Sequence, residues 1–256
     1  VRQVTGDLAD VATIVGPDAD AHLYQPSTAD AKAVAGADIV FVNGLGFETW
    51  SDALINNAGG DASVIVATDG VEPILVDGEI DPHAWNALTN GVIYVENIAA
   101  AMAAADAGNA DAYKANAASY IAKLHALHAG AADRFGSLPE DGRTVVTAHD
   151  AFGYLAESYG LNFLSPVGID TEAEPSASEL AALIAHLKET GAGALFVENI
   201  TSPALIEQIS KETGLKIGGR LFSDALSERG GPATSYVAMF EHNLGVIMTA
   251  LEDSGS

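Results

Sequence analysis

The chain has no cysteine, few basic residues and no long apolar run, and each absence excludes a class of protein. Without thiols it has no disulfide, no thiolate zinc site and no cysteine nucleophile. Only 11 basic residues stand against 35 acidic ones, for a net charge of −24. This balance excludes the basic footprint that nucleic acids and anionic membrane surfaces require. The longest apolar runs, such as VIVA and IVFV, are too short to span a bilayer.

Catalytic templates and a signal peptide are also missing from the sequence. It contains no HExxH, GxSxG, P-loop or GxGxxG motif. The opening VRQVTGD reads as the end of a helix that enters a turn. We therefore expect a leading strand, and an export signal before it, ahead of Val1. The acidic surface either concentrates cations near a metal site or simply keeps the protein soluble.

The 256 residues are enough for one large domain or two lobes, each with its own core. Short, nearly continuous apolar runs alternate with helical stretches, which predicts an α/β fold with parallel sheets. The predicted strands are 11–15, 38–42, 63–67, 144–147, 162–164, 194–198 and 216–221. The predicted helices between them are 27–35, 48–57, 86–105, 150–160, 178–190 and 203–213.

One further helix is predicted to be much longer than the others. Apolar residues recur in steps of three or four from Tyr113 to Phe135, which predicts a helix over 110–136. At 1.5 Å per residue this helix would be about 40 Å long. We therefore predict an N-terminal lobe over 1–108, a linking helix over 109–140 and a C-terminal lobe over 141–256.

Three histidines and one aspartate lie in separate segments, each at a break between regular elements. They are His22, His83, His149 and Asp224. Parallel sheets bind ligands outside the carboxyl ends of their strands, and all four residues are expected at this edge. Three of them follow predicted strands, and His83 lies in a proline-turned loop just ahead of a helix. Three imidazoles and a carboxylate make a tetrahedral site suited to Zn²⁺, which predicts one metal site built between two lobes.

Metal-bound imidazoles are normally held in one tautomer by a neighbouring acceptor. The candidate acceptors are Asp81, Glu198 and Asp150, although the last is equally explained as a charge at a helix N-terminus. Trp85 and Tyr24 either shield the site from water or belong to the core.

The remaining histidines carry a weaker signal. His125 and His128, three positions apart on the long helix, are either weak chelators or surface residues. His186 and His242 are isolated on helices and are interpreted as structural.

The segments that carry the four candidate ligands resemble a known family. The chain is similar to the metal-binding solute-binding proteins of bacterial zinc and manganese ABC importers, over essentially its whole length. The similar segments are DADAHLYQPSTAD, ADIVFVNGLGFETW, DPHAW, VVTAHDAFGYLAESYGL, EPSASEL and LFSDALSERGGPATSY.

The resemblance implies two α/β lobes joined by a long rigid helix, with the metal bound between them. It also implies a periplasmic protein that delivers its ion to an ABC transporter membrane permease. We further expect a monomer, with a metal-donating periplasmic protein as a second partner.

Two points of this resemblance concern the metal. Manganese-type relatives carry Glu at the third ligand position, whereas His149 here favours Zn²⁺. Zinc-type relatives often carry a His- and acid-rich loop before the second ligand, but only VDGEI precedes DPHAW here.

Two other functions are alternatives to zinc capture. A zinc hydrolase would use the three histidines and a metal-bound water, with Asp224 as general base. A binding protein for an organic chelate would need arginine or aromatic residues, and only Trp85 and Tyr24 are near. The sequence favours a zinc-binding protein that is not an enzyme.

Overall fold

The structure, a computed structural model, describes residues 1–139 and 143–254, and the chain divides into two compact units. The first unit comprises Val1–Gly16 and Tyr24–His128, and the second comprises Pro17–Leu23 and Ala129–Ser256. A short segment that contains His22 therefore belongs to the second unit, although the first unit supplies the chain on both sides of it. The predicted boundary between 140 and 141 lies outside the described residues, so the three-part division stays a prediction.

The first unit contains a parallel pair of strands and a small hairpin. Strands β1 (Ile39–Val42) and β2 (Ser63–Val66) pair in parallel. They correspond to the strands predicted at 38–42 and 63–67. Strands β3 (Leu75–Val76) and β4 (Glu79–Ile80) form an antiparallel hairpin that was not predicted. The helices of this unit are α1 (Arg2–Thr5), α2 (Thr28–Ala35), α3 (Ser51–Ala58) and α4 (Leu88–Ala105).

Helix α5 (Ala110–Gly136) continues from the first unit into the second. Its bounds agree with the predicted range of 110–136. Because Tyr113, Leu124 and Phe135 are buried along one side, the apolar repeat that predicted the helix is also the repeat that holds it in place.

The second unit contains a four-stranded sheet in the order β6-β5-β7-β8, with every neighbouring pair parallel. Its strands are β5 (Thr144–Val146), β6 (Asn162–Leu164), β7 (Ala194–Glu198) and β8 (Ile217–Leu221). Its helices are α6 (Gly153–Tyr159), α7 (Ala177–Thr190), α8 (Ala204–Thr213) and α9 (Tyr236–Ser254). Parallel strands with intervening helices confirm the predicted α/β class.

The core of the second unit explains why its strands end where they do. Leu195 of β7 and Val146 of β5 are fully buried against Leu187 of α7 and Ile206 of α8. Helix α7 begins with a capping box in which Ser176 and Glu179 bind each other's backbone N–H groups. The apolar strands stop at the edge of this core, and the polar residues that follow them there form the site described below.

Two sequence predictions about secondary structure were wrong or incomplete. Residues 11–15 were predicted as a strand but form none, because β-branched residues make a strand only where a neighbouring strand pairs with them. No helix was predicted beyond residue 213, yet α9 covers Tyr236–Ser254 and packs against β8. Its buried residues, from Met239 to Leu251, recur at helical spacing, so the signal was present in the sequence.

Candidate metal centre

His149 lies in the second unit, on the loop that leaves β5. Its side chain is fully buried. The loop is held by a bridge between His149 and Val167 and by the Thr147 hydroxyl, which donates to the carbonyl of His149 at 3.0 Å. The backbone of His149 is therefore held by contacts that do not involve the imidazole.

Glu198, the last residue of β7, holds both the backbone and the ring of His149. Its Oε1 accepts the N–H groups of Ala148 at 2.7 Å and His149 at 2.9 Å. Its Oε2 lies 2.6 Å from Nδ1 of the ring. Because this carboxylate lies against Nδ1, Nε2 is the ring nitrogen that faces away from it and can serve as a ligand. The predicted contact between Glu198 and an imidazole is present.

Asp224 follows β8 and lies against two imidazoles. Its Oδ2 is 3.1 Å from Nε2 of His149 and 3.4 Å from Nε2 of His22. The two rings lie edge to face, with centroids 6.0 Å apart. The potential ligand atoms of these three residues all lie within 4.8 Å of one another. This spacing leaves room for a single ion to contact all three.

The Asp224 loop depends on a residue that the sequence analysis missed. Asn243 of α9 accepts the N–H of Phe222 at 3.0 Å and donates to its carbonyl at 2.8 Å. The amide thereby fixes the backbone two positions before Asp224. A buried Asn at core spacing in an apolar helix was the only sequence signal for this role.

The charges around His149 change its proton affinity. Burial lowers the pKa of this imidazole, but the carboxylates of Glu198 and Asp224 outweigh burial and hold its pKa well above the usual value. In the metal-free protein a proton is therefore favoured on the nitrogen that faces Asp224. A divalent cation would take the place of that proton.

His83 lies in the first unit, directly after the Pro82 turn and before a 3₁₀ turn over Ala84–Asn86. Asp81 Oδ1 accepts the backbone N–H of His83 at 2.9 Å and lies 2.7 Å from its Nδ1. Both side chains are fully buried. As at His149, a carboxylate on Nδ1 leaves Nε2 as the potential ligand, and the predicted role of Asp81 is supported by this contact.

Aromatic rings line the His83 imidazole in the first unit. The Trp85 ring centroid lies 5.3 Å from it and the Phe47 centroid 6.0 Å from it. Tyr24 instead packs on Trp50, with ring centroids 5.2 Å apart, and donates to Asp30 at 2.9 Å. Of the two aromatic residues proposed as shields, Trp85 contacts an imidazole.

Asn43 supports the His83 loop from the end of β1 and was missed by sequence reasoning. Its amide donates to the carbonyl of Pro82 at 3.0 Å, and its side-chain oxygen accepts from the Tyr94 hydroxyl. Its backbone N–H donates to Glu48 at 2.7 Å. A polar residue at the carboxyl end of a parallel strand was the signal that could have identified it.

Three residues with weaker sequence signals have other contacts or are exposed. Asp150 donates its backbone N–H to the carbonyl of Gly168 at 3.1 Å, and its predicted role beside a ligand stays a prediction. His242 contacts the carbonyl of Arg220 through Nε2 at 2.9 Å and packs on Phe222, which fits its structural interpretation. His125 is exposed on α5.

Within the described part of the chain, no helix combines the length and the apolar character that a membrane span needs. The chain matches, over residues 1–250, the protein family described as the periplasmic component A of the zinc-uptake complex.

Individual relatives differ in the metal in their names. The iron ABC transporter substrate-binding lipoprotein MtsA of Streptococcus pyogenes serotype M1 is 33% identical, covering 98% of this chain and 84% of its own. The manganese ABC transporter substrate-binding lipoprotein PsaA of Streptococcus pneumoniae serotype 4 is 32% identical with the same coverage. The solved structure of the periplasmic zinc-binding protein TroA of Treponema pallidum is 27% identical. It covers 98% of this chain and 94% of its own, with a TM-score of 0.93.

The first two relatives are substrate-binding lipoproteins of ABC transporters, and the third is a periplasmic zinc-binding protein. Together with two units that carry paired carboxylate and imidazole groups, the match places the chain in the family of periplasmic metal-binding substrate-binding proteins of ABC transporters.

Proposed function

We propose that this protein captures Zn²⁺ in the periplasm and delivers it to the membrane permease of an ABC transporter. The ligands are His22, His83, His149 and Asp224. The observation that carries the proposal is the position of Asp224 Oδ2, which lies beside Nε2 of both His149 and His22. Three imidazoles and one carboxylate suit the tetrahedral preference of Zn²⁺.

Zinc is proposed over manganese and iron because of the ligand set. Imidazole is a softer ligand than carboxylate, and the Irving–Williams order places Mn²⁺ and Fe²⁺ well below Zn²⁺. The names of the relatives do not decide the metal, since they cover iron, manganese and zinc. Zn²⁺ here is cargo, so the site must release it as well as bind it.

Elemental analysis after dialysis against zinc tests the ligand set. We expect one Zn²⁺ per chain in the wild-type protein and none in the His22→Ala/His83→Ala/His149→Ala variant. The matched control is His186→Ala, which removes an imidazole that we interpret as structural. Zinc retained at one equivalent by the triple variant would overturn the proposed site.

The metal preference has its own test in His149→Glu. Replacing an imidazole with a carboxylate should narrow the ratio of zinc to manganese affinity, because carboxylate oxygen suits Mn²⁺ better. Competitive titration with a chromophoric chelator measures both affinities. An unchanged ratio would contradict a direct role for His149 in metal selection.

The hydrolase alternative assigns Asp224 the role of general base. The contacts of Asp224 with two imidazole nitrogens favour a ligand role instead, since a base would have to stand apart from the coordinating atoms. We also propose that the chain is a monomer whose partners are the membrane permease and a metal-donating periplasmic protein. Size-exclusion chromatography with light scattering tests the last of these.

A further inference from the structure

The loop that carries His83 lies in the first unit and is buried on both sides of the histidine. Pro82, His83 and Ala84 are all buried, and the last two have no exposed surface. The carbonyl groups that flank His83 therefore need hydrogen-bond donors within the protein, because a buried carbonyl without a donor is costly. The groups that supply these donors determine how firmly the loop holds its imidazole.

Two side-chain amides donate to the carbonyl groups on either side of His83. Asn43, which directly follows β1, donates through Nδ2 to the carbonyl of Pro82 at 3.0 Å. Asn90, in the first turn of α4, donates through Nδ2 to the carbonyl of Ala84 at 3.1 Å. The backbone of His83 is therefore held from one side by the end of a strand and from the other side by a helix.

Tyr94 and Glu48 hold Asn43 in the orientation that this contact needs. A carbonyl oxygen can only accept, so Nδ2 of Asn43 must face Pro82, and the Tyr94 hydroxyl stabilises this orientation by donating to Oδ1. Glu48 accepts the backbone N–H of Asn43 at 2.7 Å and that of Gly44 at 3.2 Å. The amide that holds one side of the His83 loop is thus itself fixed by a tyrosine of α4 and by a carboxylate.

Helix α4 presents three polar side chains to loops of the first unit. Asn90, Tyr94 and Asn97 are spaced by four and three positions, so they lie along one face of the helix. The first two act on the His83 loop, one directly and the other through Asn43. Asn97 instead donates to two carbonyl groups of the loop that follows β2, both at 2.9 Å. One helix face therefore carries two residues directed at the His83 loop and a matched residue directed elsewhere.

We infer that Asn43, Asn90 and Tyr94 are positioning residues that fix the backbone of His83, so that its imidazole is held in place before a metal binds. This inference rests on the proposed function and deepens it, because it assigns a role in metal binding to residues of α4 that are not ligands. Ordering the ligand during folding means that metal capture does not carry that cost.

Alanine substitutions test the two amides, and the same substitution at Asn97 is the matched control. Zinc affinity is measured by chelator competition. We expect it to fall by roughly tenfold or more in Asn43→Ala and Asn90→Ala, as for other residues that orient metal ligands. Tyr94→Phe removes only the hydroxyl that orients an amide and should lower the affinity by roughly fivefold. Asn97→Ala should stay within roughly twofold of the wild-type affinity.

A double-mutant cycle with His83→Ala separates positioning from a general loss of stability. A residue that acts through His83 has nothing left to position once the imidazole is gone. In the His83→Ala background, Asn43→Ala and Asn90→Ala should therefore lower the remaining zinc affinity by less than about twofold. Calorimetry measures this affinity where it is too weak for chelator competition. An equal loss in both backgrounds would overturn the inference.

The outcomes separate this inference from the proposed function. If the wild-type protein binds one zinc but Asn43→Ala and Asn90→Ala match Asn97→Ala in affinity, the inference alone is overturned. If the wild-type protein binds no zinc, the proposed function fails and the inference fails with it. Should Asn43→Ala fail to fold, Asn90→Ala and Tyr94→Phe provide the test, because both side chains are only partly buried.

Discussion

At the scale of single residues, two histidines of this protein are held by a buried carboxylate in the same way. His149 and His83 each present Nδ1 to a buried carboxylate, Glu198 in one case and Asp81 in the other. Each acid also accepts the backbone N–H of the histidine it holds. The carboxylate therefore fixes both the tautomer of the imidazole and the loop that carries it. Its removal should weaken metal binding, although the carboxylate is not itself a proposed ligand.

Glu198→Gln tests this arrangement. The amide oxygen can still accept both backbone N–H groups, but the charge that orients the His149 ring is lost. We expect zinc affinity to fall by roughly 10- to 100-fold. Chelator competition measures the change, and Glu207→Gln on the exposed face of α8 is the control. Equal affinities for the two variants would contradict the role assigned to Glu198.

The raised pKa of His149 predicts that metal binding depends on pH. Its carboxylate partners hold the pKa well above about 6.5, despite the opposing effect of burial. Zinc must then displace a proton from Nε2, so zinc affinity should fall steeply from about pH 7.5 to about pH 5.5. Calorimetry in buffers of different ionisation enthalpy should show release of about one proton per zinc near neutral pH. The absence of proton release would contradict this prediction.

The stability of the metal-free protein should follow the opposite trend. A folded pKa above the unfolded one means that the paired imidazolium stabilises the fold fully below about pH 6.5. That contribution is lost as the pH rises through the raised folded value. The difference in melting temperature between the metal-free wild type and metal-free His149→Asn should therefore shrink from acidic to alkaline pH. A difference that grows with pH would reverse the assigned sign.

Elements, unlike single contacts, were largely predictable from the sequence. Helix α5 was predictable because its apolar repeat is long and unbroken, and β7 because a short apolar run between helices suits a buried parallel strand. The strand predicted at residues 11–15 was wrong because their composition is typical of a strand, whereas strand pairing depends on distant parts of the chain. The same limit hid the roles of Asn43 and Asn243, since a polar residue at such a position does not reveal which distant backbone group it binds.

The β3–β4 hairpin lies directly before the loop that carries His83. Its turn residues, Asp77 and Gly78, both have positive φ, at 52° and 90°. Such a turn has the twist that two-residue hairpins favour, and glycine adopts it without steric cost. The hairpin ends directly before Asp81, whose backbone N–H donates to the carbonyl of Ile74 at 2.9 Å.

Opposite effects are expected from one glycine substitution in this hairpin and one in α5. Gly78→Ala places a side chain in the left-handed region and should lower the free energy of unfolding by about 1 kcal/mol. Gly130→Ala, in an open position within α5, should raise it by up to about 1 kcal/mol through helix propensity. Urea denaturation of the metal-free proteins measures both, and changes of the same sign would contradict the local conformations described.

For the molecule as a whole, charge is the property that distinguishes it most. A net charge of −24 on 256 residues makes the folded state repel itself, and dissolved salt screens that repulsion. We expect the melting temperature of the metal-free protein to rise when sodium chloride increases from about 0.01 M to about 0.15 M. The rate of zinc association should fall over the same range, because the acidic field that attracts cations is screened. A melting temperature that falls with salt would contradict this account.

The path of the chain limits how the protein can be taken apart. Because Pro17–Leu23 belongs to the second unit while the residues on either side belong to the first, the polypeptide passes between the units more often than a simple two-part protein requires. A single cut in α5 would leave His22 on a different fragment from His149 and Asp224. Neither fragment would then carry all four candidate ligands, and a gene cut at this helix should yield halves that bind zinc tightly only when both are present.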